Sequence, residues 1–287
     1  MILSMTGYGK AENNFNNKNI SVEIRALNSK NSDIKIRIPN IYKEKELTIR
    51  KLLQHWLKRG KIDITINVED LANRPSNQIN LPVLNAYMNQ LKHAYPDTDP
   101  TQLLVATLRL PDVLQPEKEE LDETEWQNLK NTLHQAAEQL TQYRKDEGKS
   151  LEKDLRMRID NIRKHLHKTN DLDSNRIEKI KQRLYDALQQ IKQEADPNRF
   201  EQELIYYLEK FDINEEKVRL NNHLNYFEEQ LNNSEETKGK KLGFIAQEMG
   251  REINTIGSKA NDSQIQKEVV KMKDELEKIK EQVLNVL

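Results

Sequence analysis

The chain has 287 residues, with Lys and Arg almost balanced by Asp and Glu (net charge −1), 32% charged and 36% hydrophobic residues; it is polar, yet apolar enough for a core, and its length suggests two domains. It has no cysteine, which excludes thiol catalysis, disulfides, cysteine-ligated zinc and iron–sulfur clusters. A near-neutral chain can hold nucleic acid only through a local basic surface, and the lack of a basic-then-apolar leader or a membrane-length apolar run makes a cytoplasmic protein the expectation.

In Lys18–Leu27, Ile20, Val22, Ile24 and Ala26 alternate with polar residues; in Asp33–Ile38, Ile34, Ile36 and Ile38 do so; in Lys61–Glu69, Ile62, Ile64, Ile66 and Val68 do so. Alternation of period two predicts strands with one buried face and one wet face. The Asn-rich stretch Asn13–Asn19 predicts a hairpin loop. Helical spacing covers Ile41–Lys58, and Arg59-Gly60 marks its end. A loop follows at Asn73-Arg74-Pro75-Ser76, then a helix over Leu81–Tyr95. Pro96 to Pro100 is a break, and Leu108–Leu114 is a short apolar segment. From about Asp122 the chain is helical in character. Leu151, Leu155, Ile159 and Ile162 form one stripe, the charged residues 150–194 suggest a helical hairpin, and Asp196-Pro197-Asn198 punctuates the run. The fold class expected is α+β: a mixed sheet-and-helix domain over 1–155, a charged hairpin or linker over 156–200, and a helical domain over 201–287.

Two C-terminal segments carry chemistry-bearing residues at matching offsets. Asp212, Glu215, Glu216, Arg219 and His223 repeat the spacing of Glu248, Arg251, Glu252, Thr255 and Lys259. On a helix those offsets draw one face. Leu242, Ile245, Met249, Ile253 and Ile256 form an apolar stripe beside the second set, and Leu204, Leu208 and Phe211 lead into the first. Residues 201–236 are strongly acidic and 238–259 net basic. Carboxylates can hold a divalent ion that stabilises phosphoryl oxygens; histidine can ligate or exchange a proton; arginine grips phosphate. Yet carboxylate–arginine pairs three or four apart are commonest on plain salt-bridged faces, and a lone histidine is more often structural. Among the other histidines, His165 and His167 sit two apart, on different helix faces. Met5-Thr6-Gly7-Tyr8-Gly9 lacks the Lys-Ser/Thr of a phosphate loop and reads as a strand packed tightly against its neighbour. Arg25, Lys35 and Arg37 on the wet strand faces, with Arg59 and Lys61 nearby, offer RNA backbone contacts, although a solvated sheet face is the commoner explanation.

The residues resemble a known family. Ser4-Met5-Thr6-Gly7-Tyr8-Gly9, Val22–Asn28, Arg59-Gly60-Lys61, Leu108–Leu114, Phe211–Glu216 with Arg219, Leu220 and His223, and above all Lys241–Ala260 are similar to the YicC/YloC family over nearly the whole chain. The resemblance implies a metal-dependent endoribonuclease (manganese or magnesium) in RNA turnover or small-RNA regulation. It also implies a homo-oligomer, hexameric in the family, with RNA and other RNA-degradation proteins as partners and no membrane. On the motif fall Asp212, Glu216, Arg219, His223, Glu248, Arg251, Glu252, Asn254 and Lys259. The expected catalytic residues are His223, Glu248 and Glu252. The expected metal ligands are these three with Asp212 and Glu216, and the RNA contacts are Arg25, Arg219, Arg251 and Lys259. Gly243 and Gly250 depart from the family's Asp and Asn. The alternative is a non-catalytic RNA-binding adaptor whose C-terminal stripes are subunit interfaces. A purely helical scaffold is a weaker third reading.

Overall fold

The computed structural model describes residues 2–29, 33–57, 60–71, 77–116, 121–191, 202, 205–207, 209–233 and 238–287. A four-stranded sheet opens the chain: β1 (Gly7–Phe15), β2 (Lys18–Leu27), β3 (Asp33–Arg37) and β4 (Lys61–Asp70), in the order β1-β2-β4-β3. The alternation read from the sequence sets the register. Val22 pairs with Ile66, Ile24 with Ile64 and Ala26 with Ile62, so one apolar face builds up across neighbouring strands. The Asn-rich hairpin loop narrows to Asn16 and Asn17, both at positive φ (47° and 61°), while Asn13, Asn14 and Asn19 pair within the ladder. Such a two-residue turn matches strand twist, and Asn tolerates its left-handed backbone.

β3 and β4 are parallel and therefore need a crossover. It consists of a 3-10 turn (Asn40–Lys45) followed by α1 (Glu46–Leu57), rather than one helix from Ile41. The tighter turn follows extended Pro39 and buries Tyr42, whose hydroxyl donates to Glu125 at 2.6 Å. Lys58, Arg59 and the loop Asn73–Ser76 lie outside the described residues. α2 (Leu81–Ala94) and α3 (Pro100–Thr107) flank the Pro-rich break. Pro100 opens α3 as well as breaking the chain, because a first-turn proline has no helical N–H to lose and Asp99 caps Thr101 N. Two three-residue strands, β5 (Asn77–Ile79) and β6 (Leu114–Pro116), pair antiparallel; they are too short for periodicity to reveal.

α4 (Glu123–Ile191) is a single helix of 69 residues. The expected hairpin is corrected here: no turn interrupts residues 156–191. No Gly or Pro stands in Lys149–Ile191, and Leu151, Leu155, Ile159, Ile162 and Leu166 keep one buried face as far as residue 166. The punctuation at Asp196–Asn198 lies outside the described residues. The first part of α4 packs Trp126, Leu129, Leu133, Ala136 and Leu140 on the sheet and α1. Its later part packs on α5 (Asn214–Asn232), α6 (Gly239–Ala260) and α7 (Ser263–Val283). The helix is thus a spine shared by both cores.

The N-terminal motif is a packing device, as its lack of a phosphate loop suggested. A Cβ on Gly9 would lie 2.1 Å from Ala136 O, so only glycine lets β1 touch α4. Before it, residues 2–5 reach into the other half. Ile2 joins the helical core, Ser4 N donates to Arg144 O (3.0 Å), Met5 N to Asn285 O (2.8 Å), and Leu287 N to Leu3 O (2.9 Å).

Candidate functional site

α5 and α6 are joined through residues 233–238 and lie antiparallel. Lys259 Nζ meets Glu216 Oε1 at 2.6 Å at one end of the pair, and Lys238 Nζ donates to Leu231 O at 2.9 Å at the other. In that register the residue seven after Glu216, His223, stands at the level of the residue seven before Lys259, Glu252. Two polar levels therefore follow along one seam two helical turns apart: Glu216 in contact with Lys259, then His223 and Glu252, which share a level without an ion pair between them. The apolar side is filled by Leu220, Leu224 and Phe227 against Leu242, Ile245, Met249, Ile253 and Ile256, all buried.

The two levels differ in how they are satisfied. Glu216 is 6% exposed, and its Oε2 has no hydrogen-bond partner. Glu252 is 9% exposed and makes no hydrogen bond or ion pair with the described residues. His223 is half-buried and equally without one. Buried carboxylate oxygens are normally partnered, so the orphaned Glu216 Oε2 asks for a ligand or water.

The other expected residues separate from this seam. Glu215 pairs with Arg219 at 2.5 Å and Glu248 with Arg251 at 2.8 Å, and these four side chains are mostly solvent-facing. Their geometry is that of the salt-bridged helix face. Asp212 Oδ1 accepts from Asn214 N (3.0 Å) just ahead of α5, and Thr255 Oγ1 donates to Arg251 O. Arg25 belongs to the sheet. Its Nε donates to Glu23 (2.7 Å) beside Tyr8, on a depression of about 350 Å³ lined also by Lys35, Arg37, Asp63 and Thr65. Leu204 and Leu208 lie outside the described residues, and Phe211 is half-buried.

The two glycine departures fall on a different face of α6. A Cβ on Gly250 would lie 3.2 Å from Leu276 Cδ2, one on Gly257 3.1 Å from Val269 Cγ1, and one on Gly243 3.8 Å from Val283 Cγ1. Glycine every seventh residue thus meets an aliphatic residue every seventh residue of α7. These positions set how closely α7 approaches.

One group escaped the sequence reading. Asp173 and Arg176 of α4 are both about 95% buried. Arg176 holds Asp173 Oδ1 (Nε, 2.9 Å), Ala260 O at the end of α6 (Nη1, 2.8 Å) and Phe211 O ahead of α5 (Nη2, 2.7 Å). Lys217 Nζ completes it on Asp173 Oδ2 at 2.7 Å. An Asp–Arg pair three apart in a highly charged helix looks like any solvated pair, so sequence carries no signal that this one is interior.

Among the described residues no three His, Asp or Glu side chains close on one point. The seam instead presents the orphaned Glu216 Oε2, the Glu252 carboxylate and one imidazole. That donor set fits a hard or borderline cation only if water and substrate supply the remaining ligands, as magnesium commonly requires.

Fold and site together define an α+β chain with a helical half whose interior seam joins carboxylates, lysine and histidine. Residues 2–153 match the family model described as endoribonuclease YicC-like, N-terminal region, and residues 169–287 match endoribonuclease YicC-like, C-terminal. The chain is 33% identical to a "Probable endoribonuclease YicC" of Clostridioides difficile and 28% identical to one of Haemophilus influenzae, in each case over 100% of both chains. It belongs to the YicC-like endoribonuclease family. No helix among the described residues is long and apolar enough to cross a membrane.

Proposed function

We propose that this chain is an endoribonuclease that cuts RNA phosphodiester bonds with the help of manganese or magnesium, as a homo-oligomer acting in RNA turnover or small-RNA regulation. The names of its full-length relatives support the reaction class. The observation that carries the site is the α5–α6 seam, where Glu252 and His223 fall at one level of the helix pair with no partner among the described residues, while Glu216 is already committed to Lys259. A carboxylate on a largely buried side chain and a half-buried imidazole are groups that can exchange protons with a reacting hydroxyl. Glu252 and His223 are the residues that would hold the cation, with water and RNA supplying the remaining ligands, while Glu216, Glu248 and Asp212 would act on it through water. The cation, when bound, neutralises charge on the phosphoryl oxygens. Lys259, Arg219 and Arg251 lie along the same pair of helices and are assigned to phosphate, and Arg25 to a more distant stretch of the RNA.

The test is cleavage of an end-labelled hairpin RNA with manganese or magnesium, and with chelator. Wild type cuts only with metal; Glu252→Gln and His223→Ala lose activity. Unchanged cutting by both variants overturns the site, and metal-independent cutting overturns the cofactor. The adaptor reading draws on a separate observation: Val218, Tyr226 and Phe244 are 53%, 41% and 57% exposed on the same helices, as at an interface. RNA binding that weakens steeply with salt, without any cutting, decides for it.

A further inference from the structure

We infer that Arg176, braced by Asp173, is the positioning residue that sets the register of α5 against α6, and so which residues of the seam share a level. This rests on the seam being the site proposed above. Three features of the geometry lead there.

First, the ends being joined need a partner. The last carbonyls of a helix have no intrahelical donor and carry the negative end of its dipole. At the end of α6 the chain turns left-handed at Asn261 (φ 41°), and Ala260 O is taken by Arg176 Nη1. The same guanidinium takes Phe211 O, where the chain enters α5. One rigid planar fork thereby joins the end of α6 to the start of α5.

Second, the fork is itself held. Asp173 receives Arg176 through both Nε and Nη2 (2.9 and 2.8 Å) and receives Lys217 of α5 on its other oxygen. Third, the clamp is adjacent in sequence to the seam on both sides. Lys217 follows Glu216, and Ala260 follows Lys259. The clamp grips the backbone on either side of the Glu216–Lys259 contact, and that contact fixes the register that puts His223 and Glu252 at one level. An arginine buried this deeply is spending its donors on alignment, since surface pairing would leave it solvated.

Lysine cannot substitute, because its single ammonium cannot span two carbonyls and a carboxylate in a fixed plane. The experiment uses the full chain with Arg176→Lys, Arg176→Ala and Asp173→Asn, and has two arms. In the first, amide hydrogen exchange followed by mass spectrometry compares each variant with wild type. The expected result is faster exchange confined to residues 211–223 and 252–261, with the sheet and the middle of α4 unchanged. Uniform acceleration across the chain means a general structural role and overturns the inference, and so does no change.

In the second arm, RNA affinity is measured in chelator and kcat in metal. The expected result is affinity within about twofold of wild type and kcat lowered about 100-fold, the cost of a small misplacement of reacting groups. Activity of Arg176→Ala is partly restored by low millimolar guanidinium, and Arg176→Lys stays impaired. Unchanged kcat, or loss confined to affinity, overturns the inference. If wild type cuts no RNA, the nuclease reading fails by itself, and the exchange pattern still decides whether Arg176 sets the register.

Discussion

At the scale of single residues, the seam separates two kinds of carboxylate that look alike in the sequence. Glu252 has no partner among the described residues, so replacing it leaves no orphaned base behind there. Glu252→Gln is expected to keep the fold and its thermal midpoint while lowering cleavage about 100-fold or more, the usual contribution of a positioned acid or base. A calorimetric melt beside a cleavage time course checks both halves; a variant that melts early and cuts normally contradicts the assignment. Glu216 behaves in the opposite way. Lys259→Met strands a buried carboxylate and is expected to destabilise by about 1–3 kcal/mol, less than for a fully interior pair because the Lys259 side chain is 35% exposed. Adding Glu216→Leu is expected to recover most of that loss. Urea unfolding of the two single variants and the double gives the coupling, and simple additivity would mean that the pair contributes nothing. These distinctions were half legible beforehand. Spacing correctly placed Glu216, His223, Glu252 and Lys259 on one face beside an apolar stripe. It also placed Glu215, Arg219, Glu248 and Arg251 there, because a spacing rule resolves a face only to about a turn and cannot say which members the neighbouring helix covers.

At the scale of elements, what the sequence revealed is what periodicity encodes. β2 and β4 emerged nearly to the residue because Ile20, Val22, Ile24, Ile62, Ile64 and Ile66 alternate without exception. What it hid depends on contacts far along the chain. The 3-10 turn before α1 exists because Tyr42 finds Glu125, and α4 runs unbroken because two separate cores cover successive stretches of one helix. Glycines show the difference most clearly, since their role depends on what faces them. Gly148→Ala would set a Cβ 2.0 Å from Ile2 O, and Gly9→Ala one 2.1 Å from Ala136 O; both obstacles are backbone. Each substitution is expected to cost about 1–3 kcal/mol or more, as overpacking does. Gly250→Ala meets only the movable end of Leu276 at 3.2 Å and gains about 1 kcal/mol of helix propensity, so it is expected to be close to neutral. Denaturant midpoints of the three variants check this ordering, and a Gly250→Ala as damaging as Gly9→Ala would show the α6–α7 contact to be tighter than described.

At the scale of the whole molecule, the later part of α4 is fastened to its neighbours by charged groups as well as by apolar contact, and this gives stability a direction with pH. Glu268 of α7 meets His165 Nδ1 of α4 at 2.6 Å and Lys271 at 2.7 Å; Glu275 meets Arg158 and Asn161 of α4 at 3.2 and 3.3 Å. Burial pushes both carboxyls up, but the hydrogen bonds and charges of Lys271 and His165 on Glu268, and of Asn161, Arg158 and Lys278 on Glu275, outweigh it. Both are held below their ordinary value of 4.5. A carboxylate more acidic in the folded chain than in the unfolded one binds fewer protons when folded. Its stabilisation is therefore complete above the ordinary carboxylate range and disappears as pH falls through 4.5 toward the lowered folded value. The α4–α7 contact is thus expected to loosen in acid. Urea midpoints measured from neutral pH down to about pH 3, a range spanning the ordinary carboxylate values, should fall for wild type. The Glu268→Gln, Glu275→Gln double variant should start lower at neutral pH and decline less steeply, because the groups that titrate are gone. Parallel curves for the two proteins would assign the acid sensitivity to carboxylates elsewhere, and would leave α7 held to the spine by its apolar face alone.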